Sequence, residues 1–329
     1  MNSKKRKRKI KMKPENTDFL NSVENMTEND ITLNEAAKKA KKQPFDALRY
    51  FVLLVCMSVF IYSGYNIVIK VISYIQAAKD SDTLHSIFYG GDAALLDSQA
   101  LEKTKQNNPI QDIQYLQNQN NNDSNVSAQV VSGAGAIDQM RINLKTLTDI
   151  NPDTYCWIKV SGTNVDYVVV QGPDNDYYLH RNFWQKYQYS GNIFADFRND
   201  RDVSKNQNTI IYGHNMADSS MFSSLMNYWN NEDIFKSGII ELHTLTATYK
   251  YEVFSVHQEK PTYPYFEVNF GPDCNYASFL DFVNDMKSRS HFQKDVKIDE
   301  NSKIITLSTC TNWNDMRLVV EGVLVEVDK

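Results

Sequence analysis

Residues 303–327 read KIITLSTCTNWNDMRLVVEGVLVEV. Two apolar runs, Lys303–Thr309 and Arg317–Val327, flank a polar break containing Asn312, Asn314 and Asp315. Turn formers between two such runs predict a β-hairpin. Six residues, Thr311 to Met316, separate Cys310 from Arg317. A hairpin of that length returns the chain antiparallel and sets Arg317 beside Cys310 across the ladder. A guanidinium there can lower a thiol's pKa or hold a carbonyl oxygen. Each residue also has a plainer reading when taken alone: a buried structural thiol, and an ordinary strand-end arginine.

Upstream of the hairpin the pattern stays strand-rich. Cys156–Val160 and Val165–Gln171 surround a Ser161–Asn164 turn, and further strands are expected at Ile193–Phe197, Thr209–Tyr212, Ile239–Thr244 and Thr248–Val256. Helical spacing marks Ile142–Ile150, which Asn151-Pro152-Asp153 ends. Two more helices are expected, at Ser220–Asn227 and Tyr276–Ser288, the latter with Phe279, Phe282, Val283 and Met286 on one face. Many short strands with two or three helices define a mainly β class with α insertions, closed as a β-barrel. The compact domain is read as residues 137–329.

The N-terminal part differs in kind. Tyr50 to Ile69, YFVLLVCMSVFIYSGYNIVI, carries no charge over 20 positions. At about 1.5 Å per residue this spans roughly 30 Å, one bilayer core. A buried core helix seldom runs so long without a charge, and a signal-peptide core is shorter and closer to the start. Residues 50–70 are therefore read as a single-pass transmembrane helix in a cell membrane. Lys38, Lys39, Lys41, Lys42 and Arg49 precede it, against Lys70 and Lys79 after it, which by the positive-inside rule puts the N-terminus in the cytoplasm and the C-terminal domain outside. Residues 1–49 form a basic, mostly disordered tail, and the run Lys4–Lys13 suits an anionic lipid surface or a topology signal better than nucleic acid. Residues 71–136 read as an extracellular stalk and linker, with helical segments around Gly90-Gly91 and an Asn/Gln/Ser/Gly-rich stretch at 105–135.

Charge is unevenly distributed. Residues 1–49 hold 13 basic and 7 acidic side chains, and the remainder hold 22 and 33. An acidic body argues against nucleic acid as a partner. Four cysteines in 329 residues exclude a disulfide-stapled scaffold. Cys56 lies in the span, Cys156 in a strand, and Cys274 between Asp273 and Asn275, where a thiolate is not favoured. Cys310 ends a strand at a loop, where reactive groups become accessible. Of six histidines, His214 ends the apolar strand NTIIYGH after Gly213, a residue that permits a sharp turn. His243 and His257 lie within or at the end of strands, and His291 follows a helix. No H-E-x-x-H or C-x-x-C spacing occurs, so no metal site and no cofactor are expected.

Several segments together resemble the sortases. Thr306–Cys310 is TLSTC, the active-site pentapeptide of that family, and Arg317-Leu318-Val319-Val320 matches its arginine strand. Tyr212–Met216 (YGHNM), followed by Ser220-Met221-Phe222, is similar to the histidine segment of class B, as are Asp174–Leu179 (DNDYYL) and Gly191–Asp196 (GNIFAD). The resemblance covers residues 137–329. It implies a closed sortase-type barrel with an N-terminal helical segment and a helix between the last two long barrel strands. It implies a Gram-positive cysteine transpeptidase whose partners are surface proteins bearing a sorting signal. The signal would resemble NPxTN, cleaved after Thr through a thioacyl-enzyme. The acceptor would be an amine of a peptidoglycan precursor, giving wall anchoring, or alternatively a pilin amine. Cys310 would be the nucleophile, His214 the proton donor to the leaving amine, and Arg317 the oxyanion donor, with Thr311 or its neighbours as a second. Asn175, Leu179, Ser308, Thr309 and Thr311 match substrate-binding positions. The seven-residue step from Cys310 to Arg317 is short for class B and trims a loop that shapes the groove. Two rivals stand beside this reading. One is a catalytically silent surface-binding module, against which the Cys310, His214 and Arg317 set argues. The other is an L,D-transpeptidase, whose S-H-G-C-x-R type motif is absent.

Overall fold

The computed structural model describes residues 45–90, 134–310 and 315–329. They fall into two units, one ending at Ile69 and the other beginning at Lys70. Helix α1 runs Phe45–Tyr89. It is long and apolar enough to cross a membrane, and its most apolar stretch buries nothing. A helix that is apolar on every side, with Leu53, Leu54, Phe60 and Ile61 all exposed, has no stable place in water.

In the second unit, eight strands close into a barrel in the order β1-β2-β3-β4-β7-β8-β6-β5. They are β1 Thr154–Val160, β2 Asp166–Val170, β3 Ile193–Ala195, β4 Asn208–Tyr212, β5 Ile239–His243, β6 Thr248–Glu259, β7 Ile304–Cys310 and β8 Arg317–Asp328. β2/β3 and β4/β7 pair in parallel and all other neighbours pair antiparallel. The interior is filled by alternating side chains such as Ile158, Val169, Ile211, Leu242, Leu307, Leu318 and Val320. That alternation with period two is what the strand-rich segments carried in sequence.

Four helices complete the described residues: α2 Ala134–Ile150, α3 Met226–Asn230, α4 Glu232–Lys236 and α5 Phe279–Arg289. α5 lies in the β6–β7 connection, is capped by Ser278 Oγ on the Asp281 N–H, and buries Phe279, Phe282, Val283 and Met286 against Phe254, Val319 and Val323 of the barrel's outer face. The single helix expected at Ser220–Asn227 is instead a 3-10 turn, Ser223–Leu225, leading into α3. Asn231 then accepts from the Asp233 and Ile234 N–H groups and starts α4.

The stalk expected at 71–136 also differs over its first part. Lys70–Tyr89 belongs with the barrel. Tyr74, Ala77, Leu84 and Phe88 recur at helical steps and pack on it. Phe88 stacks on Trp157 with ring centroids 4.1 Å apart. Asp166 accepts from Trp157 Nε1 at 2.6 Å and from the Tyr89 hydroxyl at 3.0 Å. Residues 91–133 lie outside the described residues.

Candidate active site

The sheet order sets three strand ends side by side. β4 and β7 are parallel, with Tyr212 opposite Ser308. His214 and Cys310 each lie two residues beyond that pair. In the neighbouring antiparallel ladder, Cys310 pairs with Arg317, the register expected from the six-residue loop. Adjacent strands are about 4.8 Å apart, so His214, Cys310 and Arg317 come from one edge of three consecutive strands. Thr311 lies outside the described residues.

Beside this edge is a groove of about 200 Å³ lined by Asn175, Leu179, Tyr212, His214, Ser308, Thr309, Arg317 and Tyr265, among others. Six sequence-predicted site residues thus share one cleft. Ser308 is buried, and its hydroxyl donates to the Tyr265 hydroxyl at 3.1 Å. Thr309 is buried and its hydroxyl has no partner among the described residues. The Arg317 guanidinium is half-buried, and among the described residues its hydrogen bond is a long contact of 3.5 Å to the Met316 carbonyl.

His214 is held by a backbone atom. Its Nε2 lies 2.8 Å from the Leu179 carbonyl. A carbonyl only accepts, so Nε2 carries the proton and, in the neutral ring, Nδ1 carries the lone pair. The His180 ring stacks on it, centroids 5.6 Å apart. Burial pushes the His214 pKa down. The Leu179 carbonyl opposes that, and the nearby charges of His180 and Arg317 add to it. The resting imidazole is therefore neutral at pH 7.

Two glycines make this arrangement possible by close approach. A Cβ on Gly213 would stand 2.7 Å from the Phe222 ring, which is fully buried. Gly213 has no positive φ, so it serves ring packing and not the sharp turn expected from sequence. Gly191 has φ +55°, and a Cβ there would stand 2.3 Å from the Leu179 carbonyl oxygen.

The far wall is built on Asp196, which is completely buried. Arg198 donates to both its oxygens, at 2.8 and 2.7 Å, and the Tyr212 hydroxyl donates at 2.9 Å. Burial alone would raise its pKa, but the Arg198 bonds and charge win and hold the carboxyl below the usual carboxylate range. Asn175 donates to Asp196 at 3.1 Å and accepts from the Phe197 N–H at 3.1 Å. Its side chain is thereby locked at the groove.

The other histidines have different surroundings. His243 bonds Thr248 Oγ1 at 3.1 Å, His291 stacks on Trp229, and His85 meets Asp166. His257 is buried between Glu259 and Glu321, 3.6 and 3.5 Å away. Burial disfavours its charge, but the two carboxylates prevail and raise its pKa to about 9. Sequence reasoning did not single out Tyr212, Tyr265, Asp196 or the Leu179 carbonyl as parts of the site. Tyr212 and Asp196 stood inside the segments already marked. Tyr265 comes from a loop without pattern.

Residues 158–325 match the sortase domain family model, and the chain belongs to the sortase family, class B. It is 35% identical to sortase B of Listeria monocytogenes over 190 residues, 57% of this chain and 76% of that protein. It is 35% identical to sortase B of Staphylococcus aureus over 193 residues, 58% of this chain and 78% of that one. Among solved structures, a mutant form of Clostridium perfringens sortase B aligns with TM-score 0.54 and 33% identity, covering 60% of this chain and 92% of that chain. Staphylococcus aureus sortase B aligns with TM-score 0.51 and 34% identity, covering 57% and 89%. The closed eight-strand barrel and the cysteine transpeptidase activity expected from the resemblance both hold. Surface proteins as substrates, an amine as acceptor and cell-wall anchoring come with the family.

Proposed function

We propose that this sortase cleaves an NPxTN-like sorting signal after Thr through a thioacyl-enzyme on Cys310 and joins the protein to an amine of the cell wall. The observation that carries the reading is the convergence of three adjacent strand ends, β4, β7 and β8, on a groove lined by His214 and Arg317. The neutral His214 takes the thiol proton on Nδ1 as the Cys310 sulfur attacks the Thr carbonyl carbon. Arg317 holds the oxygen as negative charge develops on it, and its guanidinium is not consumed by any nearby carboxylate among the described residues. As the tetrahedral species collapses, the C–N bond breaks and His214 gives its proton to the leaving amine. The acceptor amine then attacks the thioester carbonyl, loses a proton to His214 and expels the thiolate. Asn175, Leu179, Ser308, Thr309 and Thr311 bind the signal peptide, and Asn175, braced by Asp196, offers it a fixed amide. Residues 50–70 anchor the protein in the cell membrane with residues 1–49 in the cytoplasm and the catalytic domain outside.

The test is mass spectrometry of the full chain with a library of sorting-signal peptides and an amine acceptor. A Cys310-linked acyl adduct ending in Thr, absent from Cys310→Ala, is the expected result. Turnover without such an adduct, or equal turnover of NPxTN-like and unrelated peptides, would refute it.

A further inference from the structure

Val71, Ile72 and Ile75 are about half exposed. They lie on the side of α1 opposite the Tyr74, Ala77, Leu84 and Phe88 stripe that packs on the barrel. A second exposed group lies in the β2–β3 connection. Tyr187 is 78% exposed and Tyr189 43%, in a loop whose backbone is nevertheless pinned. The Asn182 N–H donates to the Lys186 carbonyl at 2.9 Å, and the Gln188 N–H to the His180 carbonyl at 3.0 Å. Phe183, Gln188 and Ser190 are buried beneath it. Lys186, also exposed, immediately precedes Tyr187. A rigid loop that holds two tyrosines in water gains nothing for folding by doing so.

Lys70, on the barrel-facing side of α1 just before Val71 and Ile72, sets the height of the loop along the helix, since its Nζ sits 5.8 Å from the centroid of the Tyr189 ring. Lys70 is also the first residue after the 20-position uncharged stretch that ends at Ile69. Whatever level Lys70 occupies, Tyr189 occupies it too. Tyrosine and lysine beside aliphatic side chains is the composition that settles at a bilayer's headgroup level, where an aromatic body and a polar tip are both satisfied.

We propose that Lys186, Tyr187 and Tyr189, with Val71, Ile72 and Ile75, form a headgroup-level contact between the catalytic unit and the lipid bilayer. The inference rests on the reading of residues 50–70 as a membrane anchor and adds a second, independent attachment. It also bears on the site. The His180 ring stacks on both Tyr189, at 6.5 Å, and His214, at 5.6 Å. The histidine end of the groove is therefore two ring contacts from the lipid surface. A membrane-tethered substrate reaches it by diffusing in two dimensions.

The experiment uses the full chain in phosphatidylcholine/phosphatidylglycerol vesicles, with the photoreactive p-benzoylphenylalanine in place of Tyr187, Val59 or Asn301. Val59 lies within the span. Asn301 is exposed before β7, at the end of that strand opposite Cys310. Lipid adducts at 187 and 59 with none at 301 are expected. Adducts at 59 but none at 187 above the 301 background would overturn the contact and leave the anchor standing. No adducts at 59 would remove the anchor reading and the proposal with it.

Discussion

Replacing Gly191 by alanine tests the backbone that orients His214. At φ +55° an alanine pays about 1–3 kcal/mol in conformational strain. The larger effect is local. The new Cβ would lie 2.3 Å from the Leu179 oxygen, whereas Cβ contacts under 3.0 Å essentially do not occur. The carbonyl must therefore withdraw by at least about 0.7 Å in a close-packed wall that resists the shift. That oxygen is the acceptor 2.8 Å from His214 Nε2. Misplacing a catalytic group by about 1 Å costs on the order of a hundredfold. We expect kcat/KM on a sorting-signal peptide to fall by roughly that factor, with a lowered Tm and a retained fold. The ring 15N shifts of His214 should lose the pure Nε2–H signature. Leu179→Ala, which keeps the carbonyl, should raise KM and leave the tautomer intact. A Gly191→Ala enzyme with normal turnover and the wild-type His214 tautomer would refute the reasoning.

Three further outcomes are expected. His214 should titrate with a midpoint below 6.5 by ring NMR, because burial disfavours its charged form; it is neutral at pH 7 and charges only as the pH falls, and a midpoint at or above 6.5 would contradict the site's desolvation. Arg317→Lys keeps charge but loses the planar fork, so the rate on a peptide should drop at least ~10-fold, and Arg317→Ala should lose roughly a hundredfold to a thousandfold, as for removal of an oxyanion donor; near-normal turnover of Arg317→Ala would remove it from the mechanism. His257, raised to about 9, contributes stability that is complete below its unfolded pKa of about 6.5 and disappears as the pH rises through 9, an upper bound of about 3 kcal/mol given its 3.5–3.6 Å contacts. His257→Ala leaves the wholly buried Glu321 uncompensated and should lower Tm markedly while flattening that pH dependence; a Tm–pH curve between pH 6 and 9 that matches wild type would overturn the pairing.

The hairpin and its register were legible because loop length and period-two alternation are local properties of the chain. The Cys310–Arg317 pairing follows from counting six residues. The barrel was legible for the same reason, one strand at a time. The capture of His214 by a carbonyl was not, because a backbone acceptor leaves no mark in sequence and Leu179 is 35 positions away. Nor was the docking of Lys70–Tyr89. Lys70 closes the uncharged stretch, but nothing in the composition after it shows that Tyr74, Ala77, Leu84 and Phe88 pack on the barrel and not on solvent or a partner. Gly213 was noticed for the wrong property, since a glycine that makes room for Phe222 looks the same in sequence as one that makes a turn.

The proposed chemistry depends most on the parallel pairing of β4 with β7. A hairpin delivers Cys310 and Arg317 to one edge automatically, but His214 arrives on a strand 96 positions earlier in the chain. Antiparallel pairing would send it to the opposite end of the barrel. A slip of a single residue would move it about 3.3 Å and turn every β4 side chain to the other face. The register is therefore fixed by groups that cannot slide at low cost. Thr306 Oγ1 donates to Asn208 Oδ1 at 2.9 Å, both residues fully buried. Asn199 clamps β4 along its β3-facing edge, donating to the Asn208 carbonyl at 2.8 Å and accepting from the Ile210 N–H at 2.9 Å. In a slipped register each of these buried polar groups would lose its partner, at about 1–3 kcal/mol apiece. The buried amides and hydroxyl near the start of β4 and β7 thus hold the alignment on which the thiol and imidazole at the far ends of the same strands rely.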